Sequence, residues 1–236
     1  MQLYDHSNLE RLYLGTLGAG IKTLAVAGVE PNVGCTTLAM ALAQRHLLAH
    51  HSVLYVELNS LAPSLSALCQ LDTDTNTSKT TPMLVGSSVS DAVVTGILAP
   101  QDKLHIVELR QPQRLAQYIE ELSQGFDAIV IDCAPLCGHI DEESALAVPA
   151  DIVARVTDNT ILVIKGGVTK APVLKRALGL MKSQNVEPTA IAINQQFNPS
   201  LGQELIREAD RLKPFAPKVS RWIAQKIRAS LLMQPL

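Results

Sequence analysis

The residues best suited to chemistry lie in one turn, Gly28-Val29-Glu30-Pro31-Asn32-Val33-Gly34-Cys35-Thr36-Thr37, between an apolar run and a helical one. Strand, glycine-bearing loop and helix in that order wrap backbone N–H groups around a phosphate. The candidate contacts are Pro31, Asn32, Val33, Gly34, Cys35, Thr36 and Thr37. Such loops ordinarily end Gly-Lys-Ser/Thr, the lysine neutralising the outer phosphates. Here Cys35 takes the lysine position. The Thr36 and Thr37 hydroxyls stand where a magnesium ligand is wanted, or where an ordinary helix N-cap would be. Cys35 reads as a thiol activated by the helix N-terminus, or as a small residue filling the space a lysine left.

A second acid closes a later apolar run: Asp132 ends Phe126-Asp127-Ala128-Ile129-Val130-Ile131-Asp132, ahead of Cys133-Ala134-Pro135. It reads as a magnesium ligand, with Thr36, or as a strand-end carboxylate capping the next loop. Four cysteines (Cys35, Cys69, Cys133, Cys137) form neither a disulfide framework nor a paired zinc pattern, although His139 could join Cys133 and Cys137. Buried thiols are the commoner outcome. His50 and His51 fall between helix and strand and read as a solvated turn.

The elements that must position these residues are legible from pattern. Thr23–Ala27, Val53–Glu57, Ala128–Asp132, Thr160–Ile164 and Thr189–Asn194 are short, apolar and β-branched without alternation, as buried parallel strands are. Leu104–Leu109 reads as a sixth strand. Thr36–Ala49, Arg114–Gln124, Lys170–Gln184 and Gln203–Leu212 carry helical periodicity, and Asp72–Ser88 reads as a mobile loop. Alternating strand and helix predict an α/β fold with a doubly wound, mostly parallel sheet.

Composition sets the outer bounds. A chain of 236 residues with 47% hydrophobic and 18% charged side chains supports a packed core and excludes general disorder. No run approaches the roughly 18 apolar residues of a membrane span, and the first ten residues lack a signal-peptide pattern, so a cytoplasmic chain is expected. A formal charge of -2 argues against a nucleic-acid partner. That charge is a sum of opposites: the main domain, 1–212, carries -7, and the segment 213–236 carries +5 with no acid. Val219, Trp222, Ile223, Ile227, Ser230 and Leu231 share one helical face there, opposite Arg221, Gln225 and Arg228. A basic amphipathic helix of this kind packs on its own sheet, docks in a partner's groove, or lies peripherally at the inner membrane.

Taken in order, these motifs resemble the deviant-Walker P-loop NTPase superfamily of partition and division ATPases. The likeness is strongest to the bacterial tyrosine kinase domains associated with exopolysaccharide chain-length regulators. It runs from about Leu9 to Gln195: the loop through Pro31-Asn32-Val33-Gly34-Cys35-Thr36-Thr37, a second acidic motif through Glu57-Leu58-Asn59-Ser60-Leu61-Ala62-Pro63-Ser64-Leu65, and a third through Phe126–Leu136. The resemblance implies ATP or ADP with Mg²⁺ as ligands, with Asn194 at the adenine-contacting position. It also marks the departures: Cys35 for lysine, Glu57 and neutral Asn59 for a pair of aspartates, and no tyrosine after Tyr118 to form a phosphorylated tail. Glu57 and Asp132 are then remnants of the catalytic acids. Glu10-Arg11-Leu12-Tyr13-Leu14 departs in spacing from the family's Glu-x-x-Arg-x-x-Arg oligomerisation motif. The expected function is a pseudo-ATPase or pseudokinase, an accessory subunit in exopolysaccharide or capsule synthesis and export, with a membrane chain-length regulator as partner. The alternative is a working switch ATPase that forms a homodimer around ATP and positions or activates a membrane machine.

Overall fold

The computed structural model describes residues 7–65, 82–87, 90–138, 147–195 and Lys226. Its elements run α1 (Ser7–Leu14), β1 (Thr23–Gly28), α2 (Cys35–Leu48), β2 (Val53–Glu57), β3 (Met83–Ser87), β4 (Ser90–Ile97), α3 (Lys103–Leu109), α4 (Pro112–Ser123), β5 (Ala128–Asp132), α5 (Ala150–Val156), β6 (Asn159–Lys165), α6 (Ala171–Ser183) and β7 (Ala190–Asn194). The strands form one sheet in the order β3-β4-β2-β5-β1-β6-β7. β4, β2, β5, β1 and β6 run parallel, and β3 turns back antiparallel on β4. The α/β, mostly parallel architecture expected of the sequence is therefore present.

The central strands are apolar on both sides because both faces are covered. Leu24 and Val26 of β1, Val53 and Tyr55 of β2, and Ala128 and Val130 of β5 face one core, with α1 and α2. Ala25, Ala27, Leu54, Val56, Ile129 and Ile131 face the other, with α3, α4 and α5. Successive side chains on a strand point to opposite faces, so Glu57 and Asp132 fall on the α2 side. Small residues let α2 sit close to the sheet: Ala39, Ala41 and Ala43 are all buried.

Two sequence expectations are corrected. Leu104–Leu109 belongs to the helix α3: Asp102 accepts from Leu104 N and His105 N as N-cap, and Ile106 and Leu109, three apart, enter the core. Within the expected loop Asp72–Ser88, Met83–Ser87 is the edge strand β3, ordered by pairing with β4, a partner that its own polar neighbourhood does not announce. The strand β4 and the short helix α5 were not anticipated. The expected helix Gln203–Leu212, the amphipathic segment 213–236 apart from Lys226, Cys69 and His139 lie outside the described residues.

The chain divides into two units, Met1–Ile164 with Thr169–Ala192, and Lys165–Val168 with Ile193–Leu236. The loop, Thr36, Glu57 and Asp132 belong to the first; Asn194 belongs to the second, where its carbonyl accepts from Gly166 N at 2.9 Å. Among the described residues no helix is long and apolar enough to cross a membrane.

Candidate phosphate-loop site

The turn after β1 is tight. Asn32 (φ 57°) and Gly34 (φ 98°) adopt left-handed conformations that reverse the chain into α2. A Cβ on Gly28 would lie 2.7 Å from Val33 Cγ2 and 2.9 Å from Cys35 Sγ, so the loop folds down on the strand end and only glycine fits beneath it. Pro31 abuts Gly138 (φ 103°) in the same way, its Cδ 2.7 Å from where a Cβ would be. Glu30 is fixed by Thr169, whose hydroxyl donates to Oε1 at 2.6 Å.

Gly34 is the N-cap of α2, and no side chain caps that end. Thr36 and Thr37 lie inside the first turn, so the N-cap alternative does not hold. The first intrahelical bond there is Leu38 N to Gly34 O, 3.0 Å. The preceding N–H groups of an α-helix have no intrahelical acceptor; without a capping side chain they are available to an anion.

Beneath the loop the site is acidic and buried. Asp132 is fully buried, and its Oδ2 accepts from the Thr36 hydroxyl at 2.5 Å and the Tyr55 hydroxyl at 3.0 Å. Oδ1 has no hydrogen-bond partner. Desolvation pushes the carboxyl from 3.8 up to about 7; the Thr36 and Tyr55 bonds oppose the rise and the nearby Glu57 charge adds to it. The same burial, with the Asp132 charge, pushes the Tyr55 hydroxyl well up.

The second motif is spent on structure. Glu57 is also fully buried, beside Asp132 in the strand register. Its Oε1 accepts from Ser64 N (2.5 Å), Ser64 Oγ (2.8 Å) and Leu65 N (3.1 Å), and its Oε2 from Ala99 N (3.4 Å). One carboxylate thus ties the chain after β2 to the chain after β4. Asn59 Oδ1 and Ser60 Oγ are buried nearby in sequence without hydrogen-bond partners.

Cys35 is half-buried, and its thiol is pushed well above the ordinary value by desolvation and then by Asp132 and Cys133. That direction is opposite to the activation expected from a helix N-terminus and favours the space-filling alternative. Cys133 and Cys137 are free, buried thiols with raised values. Among the described residues no three His, Cys, Asp or Glu side chains converge to hold a metal ion. His51 stacks on His46, ring centroids 4.9 Å apart. Glu10 does not wait for another molecule: both its oxygens lie 2.7 Å from Arg45, whose guanidinium sits 4.3 Å over the Tyr13 ring.

The structure therefore brings together the loop, Thr36 and Asp132 and adds Tyr55, which motif reading passes over. The alternation of β2 is the signal that could have found it: two residues before Glu57 places Tyr55 on the same face. The donor set fits a magnesium–phosphate group in part. Thr36 and the partnerless Asp132 Oδ1 could serve Mg²⁺ or a water on it, but Val29–Thr37 contains no basic residue and one acid, Glu30.

No protein-family model matches the chain, and no curated protein matches its sequence. Solved structures do match its fold. The chimerical protein CapA2B2 is 14% identical, with a TM-score of 0.61 over 79% of this chain and 82% of that one. The kinase domain of the Escherichia coli tyrosine kinase ETK is 16% identical, TM-score 0.58, over 78% and 71%. Cobyrinic acid a,c-diamide synthase from Mycobacterium smegmatis, with bound ADP and magnesium, is 17% identical, TM-score 0.51, over 73% and 72%. The chain has the fold of P-loop kinase and ATPase domains.

Proposed function

We propose that this chain is a pseudo-ATPase of the bacterial tyrosine kinase type, which serves exopolysaccharide or capsule assembly by contact with a membrane chain-length regulator. The observation that carries the reading is the cation-free loop: Cys35 occupies the lysine position and its side chain folds against Gly28. Phosphoryl transfer is largely positioning and charge neutralisation, and one well-placed cation in such sites is worth roughly 10³ to 10⁵ in rate. Nothing in Val29–Thr37 supplies it.

What remains suits holding better than reacting. The uncapped N–H groups of α2 are donors for a phosphate, and the Thr36 hydroxyl is held by Asp132. Mg²⁺, when bound, would neutralise phosphate charge; Thr36 and Asp132 are the residues that would hold it. Asp132 does so against its own desolvation, and Glu57 is committed to backbone N–H groups. ADP and magnesium in a protein of the same fold support nucleotide as the ligand class.

The test is capture of the full chain by a purified, detergent-solubilised chain-length regulator. The reading expects a complex of equal yield with and without ATP. A complex that forms only with Mg²⁺-ATP would overturn it in favour of a working switch.

A further inference from the structure

Outside the loop, the largest unexplained feature is the outward face of α6. Lys175, Arg176 and Lys182 are exposed on it, Lys170 stands exposed at its N-terminus, and Arg155 of the neighbouring α5 is exposed as well. Residues 165–186 contain no acid. Among the described residues the only ion pair is Arg45 with Glu10, so none of these five cations pairs with a described carboxylate; of the five, Arg155 has a described polar partner, Gln184 Oε1 at 3.3 Å. Gly179, between Arg176 and Lys182, has nothing within 4 Å of where a Cβ would be, leaving the middle of the face open to close approach.

A cationic helix face can meet a protein, a nucleic acid or a lipid surface. A protein interface has a desolvated centre built on aromatic or apolar anchors, and lysine is depleted there. The larger apolar residues of α6, Val173, Leu174, Leu178, Leu180 and Met181, pack with Ala177 on the core, and the apolar residues left exposed, Ala171 and Pro172, are too small to be such anchors. A lipid headgroup layer needs no pocket: it is a delocalised negative plane, and each Lys or Arg near it adds attraction independently. The composition of 213–236 also suits lipid over a duplex, because it holds five cations and no acid together with Trp222.

We propose that the outward face of α6, through Lys175, Arg176 and Lys182, is a contact surface for anionic phospholipid, separate from the phosphate loop. The proposal does not depend on nucleotide binding or on the pseudo-ATPase reading.

The experiment is co-sedimentation of the full chain with vesicles of phosphatidylcholine alone and with 30% phosphatidylglycerol, at low and high salt. Wild type is compared with Lys175→Gln/Arg176→Gln/Lys182→Gln and with Lys226→Gln/Arg228→Gln, thermal melts confirming that each folds. At about five-fold per cation, the triple variant should lose about 100-fold in partition onto anionic vesicles, and wild-type binding should fall with salt. A fluorescent DNA duplex is titrated in parallel. The proposal is overturned if wild type does not prefer anionic vesicles, if only the Lys226/Arg228 variant loses binding, or if the α6 variant loses duplex affinity while keeping its vesicle affinity.

Discussion

Asp132→Asn tests the electrostatics of the site most sharply, because the substitution removes a charge while keeping shape. Asp132 is fully buried, and its carboxyl rises from 3.8 to about 7. Three units at 1.36 kcal/mol each make ionisation of the folded chain cost about 4 kcal/mol. Between about pH 4 and pH 7 the folded chain binds more protons here than the unfolded chain, so stability falls as pH rises through that window and levels off above it. An asparagine carbonyl still accepts from Thr36 and Tyr55, but its amide leaves donors where Oδ1 had no partner, at about 1–3 kcal/mol regardless of pH. The variant should therefore be less stable than wild type near pH 4.5, by up to about 2 kcal/mol, and more stable near pH 8, by about 1–3 kcal/mol. Urea unfolding of both proteins from pH 4.5 to 8 reads the difference, in which titrating groups remote from Asp132 cancel. A difference that stays constant across the range would refute a buried, strongly raised carboxyl.

Three further substitutions probe the neighbours. Tyr55→Phe removes one of the two donors to Asp132 Oδ2 and should cost about 1–2 kcal/mol in urea unfolding at pH 8, and less at pH 4.5, where the carboxyl is neutral. Glu57→Gln places an amide against the N–H groups of Ser64, Leu65 or Ala99, and should lower stability by about 2–3 kcal/mol on the same assay; a neutral result would remove its structural role. Gly28→Ala forces a methyl against Val33, Cys35 and the Glu30 carbonyl, and should lower the melting temperature by an amount equivalent to about 1–3 kcal/mol.

The fold was legible where burial is double-sided. Val53–Glu57 and Ala128–Asp132 are flanked by strands and covered by helices, so their composition states their place. The misread Leu104–Leu109 has one helical face in the core while Leu104 and Val107 are exposed, a half-buried pattern that a short window confuses with a strand. β3 owes its existence to β4, which local sequence does not encode. The site was legible as a list of loop residues with Thr36 and Asp132. Their environment was not: Tyr55 reaches Asp132 only through the β2–β5 register, Glu57 is satisfied by N–H groups from two later segments, and whether Cys35 is activated or suppressed depends on burial.

The central claim is that the cation-free loop no longer supports phosphoryl transfer. Phosphate release from Mg²⁺-ATP by the purified full chain, measured beside Asp132→Asn, tests it most directly. The account predicts that wild type releases no more phosphate than the variant. Release by wild type that Asp132→Asn abolishes would contradict it.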